Sequence, residues 1–152
     1  MGMTGQTKVS TVVGALLPLL VAGCGPYHGT APSRAASPAP SAELVGTRWM
    51  LKDLGGAGVV EEANATLEFP EPGKVAGSGS CNRFFGTVSI DGSAMSIHPL
   101  GTTRMACTEA VAMQEVNYIR ALQSAERYAL RGTTLLIYVK GMQSPLRFIT
   151  AR

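Results

Sequence analysis

The chain has 152 residues, enough for one folded domain and a targeting segment. Hydrophobic residues make up 45% and charged residues 15%, which excludes a disordered polyampholyte and suits a globular core. Thirteen basic residues against ten acidic ones give a formal charge of +3. The basic residues are spread singly from Arg34 to Arg152, so there is no clustered footprint for nucleic acid and they read as ordinary solvated charges.

Residues 1–10 are polar and carry one charge, Lys8. Thr11 to Ala22 (TVVGALLPLLVA) is uncharged and rich in Val and Leu. As a helix that run would span about 18 Å, well short of a hydrocarbon core of about 30 Å, so it is no transmembrane anchor. Pro18 inside it argues against a buried core helix. A short apolar run behind a positive residue is the pattern of a signal peptide, expected over residues 1–23. Val21-Ala22-Gly23-Cys24 then resembles the lipobox of bacterial lipoproteins. That resemblance implies cleavage before Cys24, with a diacylglyceryl group on its thiol and an acyl group on its new N-terminus. An N-myristoyl site is excluded because Gln6 stands where Ser or Thr is needed. Loss of Lys8 with the leader leaves 12 basic residues against 10 acidic, or +2. The expected location is the extracytoplasmic side of the cell envelope, held to the membrane by two or three acyl chains. Gly25 after the lipid cysteine shows no inner-membrane retention signal, and the envelope type stays open.

Residues 24–43 are dominated by Pro, Ala, Ser and Gly and read as a tether. Tyr27 and His28 are linker residues within it. From 44 to 152 the pattern changes to short alternating strands. Thr47 to Leu54 offers Trp49, Leu51 and Leu54 to a core, and Ala65 to Phe69 turns Leu67 and Phe69 inward before stopping at Pro70. Residues 71–74 form a turn into Lys74–Gly77, while Phe84–Ile90 and Ala94–His98 flank an Asp91-Gly92-Ser93 hairpin loop. Tyr128–Arg131, Thr134–Val139 and Leu146–Thr150 complete the strands, with bends at Gly132 and Gly141.

Residues 108–125 break this pattern, having neither Gly nor Pro. Ala112, Val116, Ile119 and Leu122 recur at helical spacing, so they are expected to face the core and Gln114, Asn117 and Arg120 to face water or a rim. Thr108 is placed to cap this helix and Glu109 to oppose its dipole. The expected fold is therefore α+β, one helix on an antiparallel sheet of six to eight strands.

Two stretches point to a family. Gly79-Ser80-Cys81-Asn82-Arg83-Phe84-Phe85-Gly86 resembles the GCN-x-F-x-G signature of the META domain found in HslJ-like lipoproteins. Thr102-Thr103-Arg104-Met105-Ala106-Cys107 resembles the second signature, T-x-M-A-C, just ahead of the helix. The matching positions are Cys81, Asn82, Phe84, Gly86, Thr103, Met105 and Cys107; Ser80 departs from the usual Gly. Trp49 and the final strand also fall where the family would place them. The resemblance covers roughly residues 44–150 and implies a sheet curved toward a barrel with one helix. It further implies a role in envelope stress or heat shock, and brings no catalytic mechanism with it.

Cys81 and Cys107, 26 residues apart, remain after lipidation in a compartment that permits a disulfide. Closing that loop would stabilise the fold by about 3.5 kcal/mol on the chain-entropy model. Two buried free thiols acting as small hydrophobes are the other reading, and a redox pair a third, though there is no C-x-x-C spacing. His98, beside Pro99, has no second metal ligand at i+2 or i+4 and reads as satisfied or exposed. Ser78 and Ser80 lack G-x-S-x-G spacing, and Gly73, Gly77 and Gly79 lack the Lys-Ser/Thr ending of a phosphate loop. Those glycines read as bends in a curved sheet. Glu61 and Glu62 read as a solvated turn, and the Asn64-Ala65-Thr66 sequon carries little meaning in a bacterial chain.

No cofactor and no metal site are expected. The preferred function is a non-enzymatic envelope lipoprotein that binds an unidentified envelope protein or ligand. The alternatives are a thiol enzyme or redox protein using Cys81 or Cys107, and a holdase-like chaperone.

Overall fold

The computed structural model describes residues 40–61 and 63–151. Cys24, Tyr27, His28, Glu62 and the expected signal peptide lie outside the described residues. The first element is a helical turn, α1 (Pro40–Leu44), inside the stretch whose composition reads as tether. Leu44 is fully buried, so the packed unit begins there.

Strand β1 (Thr47–Leu54) follows through Gly46, whose positive φ of 77° suits glycine, and pairs antiparallel with β2 (Thr66–Phe69). Trp49 and Leu51 face inward as their alternation predicts. The register against the last strand then shifts between Leu51 and Asp53. One extra residue inverts the side-chain phase, so Leu54 turns inward rather than Asp53. Asp53 instead accepts bonds from the amides of Gly56 (2.6 Å) and Gly58 (3.1 Å) and fixes the next turn.

Strand β3 (Lys74–Ser78) pairs with β2 on one edge and with β4 (Arg83–Asp91) on the other. The hairpin at Asp91-Gly92-Ser93 leads to β5 (Ala94–Ile97), which lies on the opposite edge of β4. Pro99 has no amide hydrogen and interrupts that line. It resumes as a two-residue strand, β6 (Gly101–Thr102), on the same edge of β4. Nothing in the alternation announced β6, which is too short to carry a pattern.

Helix α2 (Glu109–Gln123) confirms the expected helix and its inward Ile119 and Leu122, but the rest of the inner face is shifted. Its buried residues are Gln114, Tyr118, Ala121 and Leu122, while Val116 is 50% exposed. Thr108 occupies the N-cap, but its side chain makes no capping bond. Strand β7 (Ala125–Arg131) starts directly after the helix, three residues earlier than its alternation suggested. A register shift between Ala125 and Arg127 explains this, since it puts Ala125 and Tyr128 on the same inner side at a spacing of three. Strands β8 (Thr134–Val139) and β9 (Leu146–Thr150) alternate regularly, with Leu135, Ile137, Val139, Leu146 and Phe148 inward.

The strand order is β3-β2-β1-β9-β8-β7-β5-β4, and the β3–β4 pairing closes the ring. The result is an eight-stranded antiparallel barrel with β6 as a short extension and α2 as the main helix. Eight strands enclose an interior that side chains just fill, and closure removes the free sheet edges. Tyr118 reaches into this core and donates to the Thr66 carbonyl at 3.1 Å. Its ring meets Phe84 edge-on at 5.9 Å and Phe148 at 6.2 Å. Gly77 is what admits Phe84, because a Cβ there would stand 2.7 Å from that ring. No helix of the described residues is long and apolar enough to cross a membrane.

Candidate functional site

The two signature stretches meet at one end of the barrel. After β3 the chain turns through Gly79-Ser80-Cys81-Asn82 into β4, and the Gly79 amide closes the turn on the Asn82 carbonyl at 2.7 Å. Helix α2 lays Glu115 across this turn. Its carboxylate accepts from the backbone amides of Cys81 (3.1 Å) and Asn82 (2.6 Å) and from the Asn82 side-chain amide (2.7 Å). A Cβ on Gly79 would stand 2.5 Å from that carboxylate, so only glycine lets the helix approach.

Asn82 is the hub. While its Nδ2 donates to Glu115, its Oδ1 accepts from the Met105 amide at 2.7 Å and the Thr103 hydroxyl at 3.1 Å. Thr103 Oγ1 in turn accepts from the Arg83 amide at 3.1 Å, and the Thr103 amide donates to the Arg83 carbonyl at 3.0 Å. An amide carries its donor and its acceptor on separate atoms, so it can donate to a carboxylate on one side while accepting from an N–H and a hydroxyl on the other. Aspartate in its place would set two carboxylates face to face. A disulfide between Cys81 and Cys107, with Cα atoms 6.2 Å apart, staples the same two segments covalently. The open choice between a disulfide and free thiols thus resolves to the disulfide.

The remaining signature positions act through shape or backbone. Phe84 is buried in the barrel, and a Cβ on Gly86 would come 2.6 Å from Leu100. Met105 is 67% exposed, so its amide and not its thioether serves the cluster. Ser80 has a φ of 101°, a region that disfavours side chains, which accounts physically for the usual glycine at this place in the signature. Two bonds hold it there: its amide donates to Ser78 Oγ at 3.2 Å, and its hydroxyl accepts from Gln114 Nε2 at 3.1 Å. Gln114 also accepts from the Val60 amide and so ties the 55–65 loop to the same cluster.

The helical spacing places Gln114 outward and gives no signal for Glu115, whereas the structure turns both toward the cluster. The signal was the alternative helical phase through Gln114, Tyr118, Ala121 and Leu122, a spacing of four, three and one. It passes through two polar side chains and so loses to an all-aliphatic phase on hydrophobicity alone.

His98 and Glu61 stay apart from this cluster. His98 is exposed and shares a 3.0 Å hydrogen bond with Ser89, and Glu61 is exposed in a turn. Among the described residues no three His, Cys, Asp or Glu side chains are grouped to hold a metal. At the α1 side of the barrel lies an apolar cleft of about 720 Å³, lined by Leu44, Val45, Phe69, Pro72, Val88 and Ile90. Tyr128 is 5% exposed, and its hydroxyl has no partner among the described residues. Burial first, and the Glu43 carboxylate second, raise its pKa above the usual 10.0.

Fold and cluster together define a closed antiparallel barrel whose helix is locked onto the β3–β4 turn by a polar clasp and a disulfide. The META domain family model matches residues 42–152, and the chain belongs to that family. An NMR structure of a protein from Burkholderia xenovorans is similar over 83% of this chain and 98% of its own, with 24% identity and a TM-score of 0.61. A second NMR structure matches 72% of this chain and 92% of its own, with 21% identity and a TM-score of 0.59. At these identities both speak for the fold alone. No curated protein matches the chain.

Proposed function

We propose that the protein is an envelope lipoprotein, anchored through acylated Cys24 on the extracytoplasmic side, that works under envelope stress by binding a partner protein or ligand rather than by catalysis. The observation that carries this reading is the full engagement of the signature. Asn82, Thr103 and Glu115 saturate one another and the neighbouring backbone, and Cys81 and Cys107 saturate each other. A set of side chains held this way builds a rigid scaffold. The disulfide agrees with an oxidising compartment, and the Val21–Cys24 sequence supports acylation. The apolar cleft near α1 offers room for a ligand.

Two measurements test it. Radiolabelled palmitate is expected to enter the wild-type protein and not a Cys24→Ser variant, which should leave the membrane fraction. Crosslinking in stressed cells followed by capture is expected to return a defined partner; its absence together with a silent deletion would overturn the binding role. The thiol-enzyme alternative requires iodoacetamide to label the folded, unreduced protein at Cys81 or Cys107.

A second reading, a holdase, draws support from exposed Met105, Met113, Val116 and Phe85. It expects suppression of client aggregation on heating, weakened by Met113→Ser with Val116→Ser.

A further inference from the structure

The barrel has two chemically different walls. Strand register places the outward residues of β7, β8, β9 and β1 in a continuous array: Met50 opposes Ile149, Ile149 opposes Thr134, and Thr134 opposes Arg131. The next row brings Arg147 beside Leu136 and Leu136 beside Ala129, and the third sets Tyr138 against Arg127. The Arg127 guanidinium lies 3.5 Å from the centre of the Tyr138 ring. Arg48 and Lys52 extend the array along β1. All five cations are exposed, while Met50, Leu136, Tyr138 and Ile149 are half-buried between them.

The carboxylates on this wall are few. Asp53 is bonded to two turn amides, Glu126 stands at the β7 bulge, and the neighbouring Glu68 pairs with Arg48 at 3.1 Å. Lys52, Arg127, Arg131 and Arg147 have no ion-pair partner among the described residues. By contrast, the outward positions of β3, β4 and β5 carry Lys74 and Arg83 against Asp91, among Ser, Thr, Ala and the exposed Phe85.

We propose that the wall formed by β7, β8, β9 and β1 docks on the anionic headgroups of a phospholipid bilayer. Arginines match phosphate geometry in two-point bonds, and a tyrosine between aliphatic side chains suits the boundary between headgroup and acyl chain. The inference rests on the lipid-anchor reading only for its setting. Fifteen residues lie between Cys24 and Pro40, so an anchored barrel stays within roughly 60 Å of the bilayer at full chain extension. Inside that radius a basic wall with four unpaired cations among the described residues would find the opposite charge.

The test uses the mature chain from position 24 with Cys24→Ser, which contains every described element and carries no acyl group. Co-sedimentation is measured with vesicles of phosphatidylglycerol and phosphatidylcholine, and with phosphatidylcholine alone, at low and physiological salt. Binding is expected to the anionic vesicles only and to weaken with salt. Because each cation at such a surface is worth about a fivefold change in partition, Arg127→Glu with Arg147→Glu should weaken binding roughly 25-fold or more. Lys74→Glu with Arg83→Glu makes the same change in net charge on the other wall and should weaken it less than about threefold, screened beyond about 8 Å. Thermal melts confirm that both pairs remain folded, with Arg127→Gln and Arg147→Gln as milder replacements. Equal loss from both pairs, equal binding to neutral vesicles, or no binding at low salt would each overturn the proposal. Palmitate labelling of the wild type is read separately, so failure of the anchor and failure of the wall are distinguishable.

Discussion

The barrel interior and the signature clasp hold the same fold by opposite physics. In the interior, Leu67, Leu135, Ile137, Leu146 and Phe148 are fully buried, and their attraction is non-directional, in proportion to area. In the clasp, Asn82, Glu115 and Thr103 act through hydrogen bonds that tolerate neither a shorter side chain nor a shift of an ångström. The interior should accept exchange among residues of similar volume, whereas the clasp depends on the donor and acceptor pattern of each side chain. A signature motif can therefore record structural necessity as readily as chemistry.

The contrast can be broken at several points. Leu135→Ala should have the largest effect, about 3–4 kcal/mol in denaturant unfolding, while Leu135→Met should lose less than about 1.5 kcal/mol. Asn82→Ala should cost about 3 kcal/mol, because it strands the Met105 amide, the Thr103 hydroxyl and part of the Glu115 carboxylate. Asn82→Asp, almost the same volume, should be no milder; a neutral result there would refute the clasp as described. Replacing Cys81 and Cys107 by Ser should lower stability by up to about 3.5 kcal/mol, read as a lower unfolding midpoint that reductant no longer changes.

Smaller effects sharpen the comparison. Tyr118 is fully buried, and burial holds its pKa well above the ordinary 10.0. The unfolded chain thus releases this proton first as pH rises, so its contribution is intact below about pH 10 and declines above it. Tyr118→Phe should cost about 1 kcal/mol at neutral pH and flatten the alkaline fall in melting temperature. At Ser80, Gly and Ala separate backbone from side chain. Both remove the hydroxyl that Gln114 bonds, but only Ala keeps a Cβ at φ 101°. Ser80→Gly should therefore be more stable than Ser80→Ala by about 1 kcal/mol.

Much of this fold was legible in the chain itself. Alternation located eight of the nine strands, and a stretch without Gly or Pro located α2, because both signals are local and repeat along the sequence. Errors gathered where one residue changes the phase. The shift at Ala125/Arg127 moved the start of β7, and the helix chose Gln114 and Tyr118 over Ala112 and Val116, whereas Leu54 turned inward as expected. A bulge is settled by the partner strand, and a buried glutamine by the amide and hydroxyl that satisfy it, so neither leaves a periodic trace.

The signature residues were identified by resemblance, yet their roles were not. The sequence by itself determined the strands and the helix, since these depend on residues near one another in the chain. Only the tertiary structure decided that β1 pairs with β9, that Glu115 bonds a turn more than thirty residues away, and that scattered arginines share one wall. Those outcomes depend on register between distant segments, which is fixed when the whole barrel closes and not before.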